Sequence, residues 1–294
     1  MLHGSIPPSV SEDIVFPQKY TLQIKGRLIS LLKPQLMGII NLTPDSFFEG
    51  SRVQTNKNHI LTQAEKMIQE GATFLDLGGY SSRPGATEVS EKEEISRVAP
   101  AISLIKESFP DILISVDTFR ANVAQESIKS GADIINDISA GDLDEKMLEV
   151  VAEAGIPYLA MHMRGNPKTM QQLSDYSDLL TDILYYFAEK LEIFKKFGIK
   201  DVILDPGFGF AKNLDQNFEL FKNLSAFRTF GLPILVGISR KSMIYKFLET
   251  TPEDGLNGTT ALNMIALLQG ANLLRVHDVK EAKETIKLYD KLYP

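Results

Sequence analysis

From Gln35 onward, short apolar runs alternate with longer stretches in which apolar residues recur every three or four positions. The short runs span residues 36–40, 73–77, 112–116, 133–138, 157–161, 201–204, 233–237 and 272–276. Each is too short for a helix and apolar on both faces, as a strand buried in a parallel sheet must be. Between them, Ile60, Ala64, Met67 and Ile68 form one helical stripe, and Ile95, Val98, Ala99, Ile102 and Ile105 another. Leu180, Ile183, Leu184, Phe187, Leu191 and Phe194 mark a long third helix, and Val279, Ala282, Ile286 and Tyr289 a last one. Ser90 with Glu93 reads as a capping box. Gly71, Gly131, Gly155 and Gly198 each fall between a helix and the next strand, where a left-handed C-cap is wanted.

Eight strand–helix units can close into a barrel or lie open as a doubly wound sheet. The number eight favours an α/β fold of the (β/α)8 (TIM) barrel type over residues 35–294. Residues 1–34 precede the alternation as an N-terminal extension. Within it, residues 21–24 and 27–31 around Lys25-Gly26 predict a β-hairpin placed to plug the barrel floor. No linker, low-complexity tract or sustained charge run divides the chain, so a single domain is expected.

Composition narrows the function more than the fold. The 294 residues are 44% hydrophobic and 23% charged, an ordinary soluble balance. There is no cysteine, which excludes disulfides, thiolate metal sites and cysteine nucleophiles. A net charge of −7 argues against non-specific nucleic-acid binding, which needs Lys and Arg to neutralise phosphates. Residues 1–10 lack a basic and apolar leader, and no apolar run reaches the length of a membrane span. A cytoplasmic protein is expected.

In a (β/α)8 barrel the chemistry sits at the C-terminal ends of the strands. Here the polar residues gather there. Strand one leads into Asn41 and residues 42–47, and strand two into residues 78–85 with Ser82, Arg83 and Pro84. Strands three and four end in Asp117 and Asn136, with Ile138 just beyond; strand five carries Met161 and residues 162–167. Strands six and seven end in Asp205 to Phe210 and in Gly237 to Ser242, and strand eight in Arg275 to Asp278. Asp117, Asn136 and Asp205 suit a heterocycle with ring N–H and amino donors, because charge-assisted hydrogen bonds are the strong ones. Lys241 supplies a donor, and Met161 and Phe210 offer apolar faces to a flat ring. Arg275, His277, Arg83 and Asn41 match a phosphate or pyrophosphate, and Asn41 is an oxygen ligand of the kind Mg²⁺ accepts.

Taken singly, each of these residues has a structural reading. Asp117 or Asp205 serves equally well as a helix cap, and Asp205-Pro206 as a strand-ending turn. Residues 207–209 form neither a dinucleotide fingerprint nor a P-loop. His277 suits a structural hydrogen bond, His162, His3 and His59 read as structural or exposed, and Met161 and Met163 as core filler. Arg240 and Asp137 suit a supporting ion pair. Co-location at eight successive strand ends is what independent structural causes do not explain.

Segments 41–47, 76–86, 115–118, 134–138, 161–167, 205–213, 237–242 and 275–278 together resemble the signature blocks of dihydropteroate synthase, in that family's order from strand one to strand eight. The resemblance implies condensation of 6-hydroxymethyl-7,8-dihydropterin pyrophosphate with para-aminobenzoate, with Mg²⁺, as a step of folate biosynthesis. It implies a pterin held by Asp117, Asn136, Asp205 and Lys241 between walls of Met161, Ile138, Gly237 and Phe210. The pyrophosphate falls to Asn41, Ser82, Arg83, Arg275 and His277, with Asn41 as the metal ligand. The aminobenzoate falls to Ser82, Pro84, Phe210, Lys241 and Ser242, its carboxylate at the helix start near Ser242. Asp117, Lys241 and Arg83 are the implied catalytic residues, the reaction a dissociative substitution. Small-molecule substrates, sensitivity to sulfonamides and a homodimer through late helices near 255–270 follow from the same resemblance. The chain departs from the family at Ser82, where threonine is usual, at Tyr80, often acidic, and at Phe48-Glu49, usually serine-aspartate. Two alternatives remain open at this point: a pterin-binding methyltransferase acting on a corrinoid, and a synthase-like paralogue that binds pterin without condensing it.

Overall fold

A computed structural model describes residues 20–42, 53–80 and 89–294. The predicted hairpin is present as β1 (Thr21–Ile24) and β2 (Arg27–Ser30), paired antiparallel. Its two-residue turn puts Lys25 at φ 47° and Gly26 at φ 80°. Positive φ at both positions is what a turn matched to strand twist requires.

The eight apolar runs are the strands β3 (Gln35–Asn41), β4 (Phe74–Gly78), β5 (Leu113–Asp117), β6 (Ile134–Asp137), β7 (Tyr158–Met161), β8 (Val202–Asp205), β9 (Leu235–Val236) and β10 (Leu273–Val276). They form one parallel sheet in the order β8-β7-β6-β5-β4-β3-β10-β9. The ring is closed by a parallel bridge from Leu204 to Ile234, with the Leu204 amide donating to the Pro233 carbonyl at 2.9 Å. The fold is therefore the expected (β/α)8 barrel, and helices cover its outer surface. These are α1 (Val53–Glu70), α2 (Glu91–Ser108), α3 (Ala121–Lys129), α4 (Met147–Ala154), α5 (Leu179–Phe197), α6 (Leu214–Lys222), α7 (Ser242–Tyr245), α8 (Leu256–Leu268) and α9 (Val279–Leu292). Among the described residues no helix is long and apolar enough to cross a membrane.

Because strand side chains alternate in direction, each barrel strand sends one set outward to the helices and one inward. Outward residues such as Leu36, Leu75, Ile114, Ile135, Tyr158 and Leu204 join the stripes of the helices in one large core. The lowest buried inward residue of each strand is apolar: Met37, Phe74, Leu113, Ile134, Leu159, Ile203, Leu235 and Leu273. Leu22, Ile24 and Leu31 of the hairpin region close that layer from below. Each side chain so buried contributes about 1.5–3 kcal/mol, and together they seal the floor. Asp133 ties the hairpin on, its two oxygens 2.7 Å from Lys25 Nζ and 2.6 Å from Lys106 Nζ.

Local signals in the sequence work with one exception. Gly71, Gly131, Gly155 and Gly198 all have positive φ, and Ser90 caps α2 by accepting the Glu93 amide. The reciprocal half of that capping box is not made. The Glu93 carboxylate instead pairs with Arg97 one turn on, at 2.5 Å, where a charged partner outbids a backbone N–H.

Candidate active site

One step above the sealed floor, the inward positions change character. Two residues further along each strand lie Ile39, Asp76, Ser115, Asn136, Met161, Asp205, Gly237 and Arg275. Two further still lie Asn41, Gly78, Asp117, Ile138, Met163, Gly207, Ser239 and His277. An apolar base thus carries a polar, charged upper interior at the C-terminal mouth of the barrel. That is where a (β/α)8 enzyme works.

The charged groups are in direct contact. Arg275 Nε lies 2.6 Å from Asp76 Oδ2 and its Nη2 lies 2.9 Å from Asp117 Oδ2. Asn136 Nδ2 donates to the same Asp76 oxygen at 3.1 Å. Asp76 is fully buried, and among the described residues its second oxygen and the neighbouring Ser115 hydroxyl have no hydrogen-bond partner. Unspent hydrogen-bonding capacity at the centre of a barrel is the mark of a site made for a polar ligand or ordered water.

Burial sets the electrostatics. It pushes the Asp117 carboxyl up, to about 7, against the pull of Arg275 and with the help of Asp76. Burial likewise raises Asp205, opposed by Lys241 and by the Gly207 amide that donates to Asp205 Oδ1 at 2.8 Å. Lys241 is pulled down to about 8 by burial, while Asp205 holds it up. Arg275 is driven upward by its two acids and stays a cation. Two acids with raised values facing a lysine with a lowered one is an arrangement concentrated at functional sites.

Lys241 stands at the start of α7, which is a single turn. Its Nζ donates to the Phe208 carbonyl at 2.6 Å and sits 5.0 Å from the centre of the Phe210 ring. Phe210 in turn packs on a buried group made of Ile138, Met161, Met163, Met170 and Ala211. The flat-ring faces expected from the sequence therefore meet on one side of the mouth, with Lys241 above them. On the other side, Asn41, Gly78 and Asp117 are successive partners in the sheet register, and the His277 ring accepts from or donates to Ser239 at 3.1 Å. Gly237 lies beside Arg275, and Ser242 opens α7.

The structure brings Asp117, Asn136, Asp205, Lys241, Arg275, Met161, Ile138, Phe210 and Gly237 to one mouth, with Asn41, His277 and Ser242 at its rim. Ser82, Arg83 and Pro84 lie outside the described residues, as do residues 43–50 with Phe48-Glu49. The expected Arg240–Asp137 pair is not formed. Arg240 makes a two-pronged pair with Asp278 at 2.8 and 2.9 Å, while Asp137 accepts from Tyr158, Ser139 and Gly141. The loop after β9 turns toward β10, its partner in the sheet, so the nearer acid wins. His162 is buried and structural, bonded to Lys212 at 3.0 Å. Asp76 was not singled out from the sequence, although an acid inside the run Phe-Leu-Asp-Leu-Gly, at the inward parity of Phe74, is the available signal.

A barrel with this mouth belongs to the class of small-molecule enzymes, and residues 37–277 match the family model described as "Pterin binding enzyme". The chain is 45% identical to the dihydropteroate synthase of Escherichia coli over 269 residues, 90% of this chain and 94% of that one. It superposes on the Yersinia pestis dihydropteroate synthase in complex with a sulfonamide drug with a TM-score of 0.87 at 44% identity, covering 93% of this chain and 99% of that one. The Xanthomonas albilineans dihydropteroate synthase with 4-aminobenzoic acid gives a TM-score of 0.86 at 34% identity, covering 93% and 98%. The chain belongs to the dihydropteroate synthase family of pterin-binding enzymes.

Proposed function

We propose that this chain condenses 6-hydroxymethyl-7,8-dihydropterin pyrophosphate with para-aminobenzoate to give 7,8-dihydropteroate and pyrophosphate, in the cytoplasm, as a step of folate biosynthesis. The observation that carries this reading is the polar tier above the apolar floor, where Asp117, Asn136, Asp205 and Lys241 gather at the C-terminal mouth of the barrel. The acids and the amide accept from the pterin's ring N–H and amino groups, and Lys241 donates to its carbonyl or ring nitrogen. Met161, Ile138, Gly237 and Phe210 wall its faces. Arg275 and His277, with Asn41, Ser82 and Arg83, receive the pyrophosphate.

The donor set suits Mg²⁺ only in part. Among the described residues no group of three His, Asp or Glu side chains is placed to hold a metal. Asn41, half-buried at the rim, offers one hard oxygen, which fits an ion that keeps waters and substrate phosphates in its shell. Asn41 would hold it, and when bound it adds positive charge beside the pyrophosphate. Chelation should therefore abolish turnover and weaken pyrophosphate binding.

The protein's own groups perform the rest. As the methylene carbon–oxygen bond breaks, pyrophosphate keeps the electron pair on its leaving oxygen, and the charges of Arg275 and Arg83 stabilise it. The positive charge left on the methylene spreads into the pterin, where the Asp117 carboxylate stabilises it. The aromatic amine, held against Phe210, Pro84, Ser82 and Lys241 with its carboxylate toward Ser242, forms the carbon–nitrogen bond and releases a proton. Sulfonamides, as aminobenzoate mimics, should compete for that half of the site. The family resemblance supports a homodimer, and exposed Ile265 and Leu268 on α8 supply an apolar face for it; light scattering on the purified chain tests this.

Incubation with isotope-labelled aminobenzoate, pterin pyrophosphate and Mg²⁺ tests the whole reading. Labelled dihydropteroate with an equal amount of pyrophosphate is expected. Pterin binding without labelled product would leave a binding protein only.

A further inference from the structure

The turn that presents Phe208 and Phe210 to Lys241 is built against its own backbone preferences. Gly207, Gly209 and Ala211 all have positive φ, 75°, 84° and 49°, and at Ala211 that conformation costs about 1 kcal/mol or more. A Cβ at Gly207 would run into the His162 carbonyl oxygen. Such a path persists only where the surroundings over-determine it.

Buried Lys212 is central to those surroundings. Its Nζ lies 3.0 Å from His162 Nδ1, 2.9 Å from the Gly207 carbonyl and 3.0 Å from the Phe210 carbonyl. Three acceptors match the three N–H bonds of an ammonium and no more; burial pulls Lys212 down to about 7, and Asp205 opposes that. Burial keeps His162 well below its ordinary value, with Lys212 adding to the effect, so its Nδ1 is available to accept. Asn217, also buried, grips the same turn from the other side. Its Oδ1 accepts the Gly209 amide at 2.6 Å and its Nδ2 donates to the Lys212 carbonyl at 3.2 Å. Neither residue hydrogen-bonds a side chain proposed to meet substrate, though the Lys212 charge also acts on Asp205 and Lys241.

We propose that Lys212 is a positioning residue for the aminobenzoate half of the reaction, clamping both ends of the 207–210 turn to His162 and so fixing the Phe210 ring and the carbonyl that holds Lys241. This rests on the reading that Phe210 and Lys241 line the aminobenzoate pocket. A lysine serves where a neutral donor would not, because one side chain must satisfy two carbonyls and a ring nitrogen converging from two loops.

The test is a double-variant cycle on the full chain, reading kcat/KM for aminobenzoate. Lys212→Met is expected to lower it about thirtyfold, since a misplaced wall misaligns the attacking amine. In a Phe210→Ala background the same change should cost clearly less, no more than about tenfold, because the ring is gone and only the carbonyl that holds Lys241 is still displaced. A loss below about threefold in the parent, or an equal factor in both backgrounds as general destabilisation would give, overturns the proposal. If Lys212→Met does not accumulate as folded protein, Asn217→Ala is put through the same cycle and judged by the same two outcomes. A parent chain that makes no labelled dihydropteroate would instead sink the reading of the site, and this inference with it.

Discussion

Arg275 Nη2 rests 2.9 Å from Asp117 Oδ2, a contact between the last barrel strand and the third. The same guanidinium holds Asp76 at 2.6 Å, so one cation joins two acids across the mouth. In the proposed reading, this orients Arg275 before any pyrophosphate arrives and keeps Asp117 toward the pterin whose developing charge it would meet.

Removing that cation should strand two acids. Arg275→Met is expected to destabilise the fold by about 3 kcal/mol at neutral pH, the usual result of breaking a buried pair from one side. Urea melts of the two proteins measure it. A change within about 0.5 kcal/mol, the range of ordinary surface substitutions, would mean that Arg275 is not the partner the geometry describes.

Lys241 and Asp117 should each be needed for rate. Lys241→Ala and Asp117→Ala are expected to cut turnover at least about a hundredfold, the scale of losing one preorganised electrostatic contact. Steady-state assays at saturating pterin pyrophosphate check this. Near-normal turnover in either variant removes that residue from the proposed role.

The pH profile has a definite sign on each side. Burial raises Asp117 to about 7, so its carboxylate forms only as pH climbs past that value, and activity should fall on the acid side. Burial lowers Lys241 to about 8, so its charge is lost as pH rises through that value, and activity should fall on the alkaline side. kcat/KM, which reports the free enzyme, should therefore peak between the two. Lys241→Arg, whose charge persists, should flatten the alkaline limb whatever its effect on the maximum. A parent profile that stays level through both values contradicts the assignment.

Gly207→Ala should be harsher than its size suggests. It combines positive φ with a collision at the His162 carbonyl, and a loss of about 3 kcal/mol or more is expected in thermal or denaturant unfolding. Gly155→Ala, also at positive φ but with open space around the added carbon, should cost about 1–2 kcal/mol. Equal costs at the two sites would count against the described turn.

Much of the architecture was readable because buried parallel strands write themselves as short apolar runs. All eight were found within two residues of their ends, β9 least well, since only Leu235 and Val236 keep strand geometry there. Asp117, Asp205 and Lys241 were legible because strand-end acids and a lysine have no structural reason to share one face. Asp76 was hidden inside a run that reads as pure core, and its importance depends on inward parity, which needs the register. Asn217 carried no signal at all, and Lys212 only its place within the 205–213 block. Their significance lies in carbonyl and amide groups that converge only when the 207–212 turn adopts its path, and one-dimensional patterning says nothing about that. The Arg240–Asp137 expectation failed for a related reason: ion-pair partners are chosen by loop direction, not by chemical complementarity alone.

The account stands or falls on what occupies the tier above the apolar floor. A crystal structure of the chain soaked with a pterin measures this directly. The expected result has the pterin's polar edge within hydrogen-bond distance of Asp117, Asn136 and Asp205, with Lys241 on its carbonyl or ring nitrogen. A pterin bound elsewhere, or one that leaves those three side chains untouched, would contradict the assignment of the site.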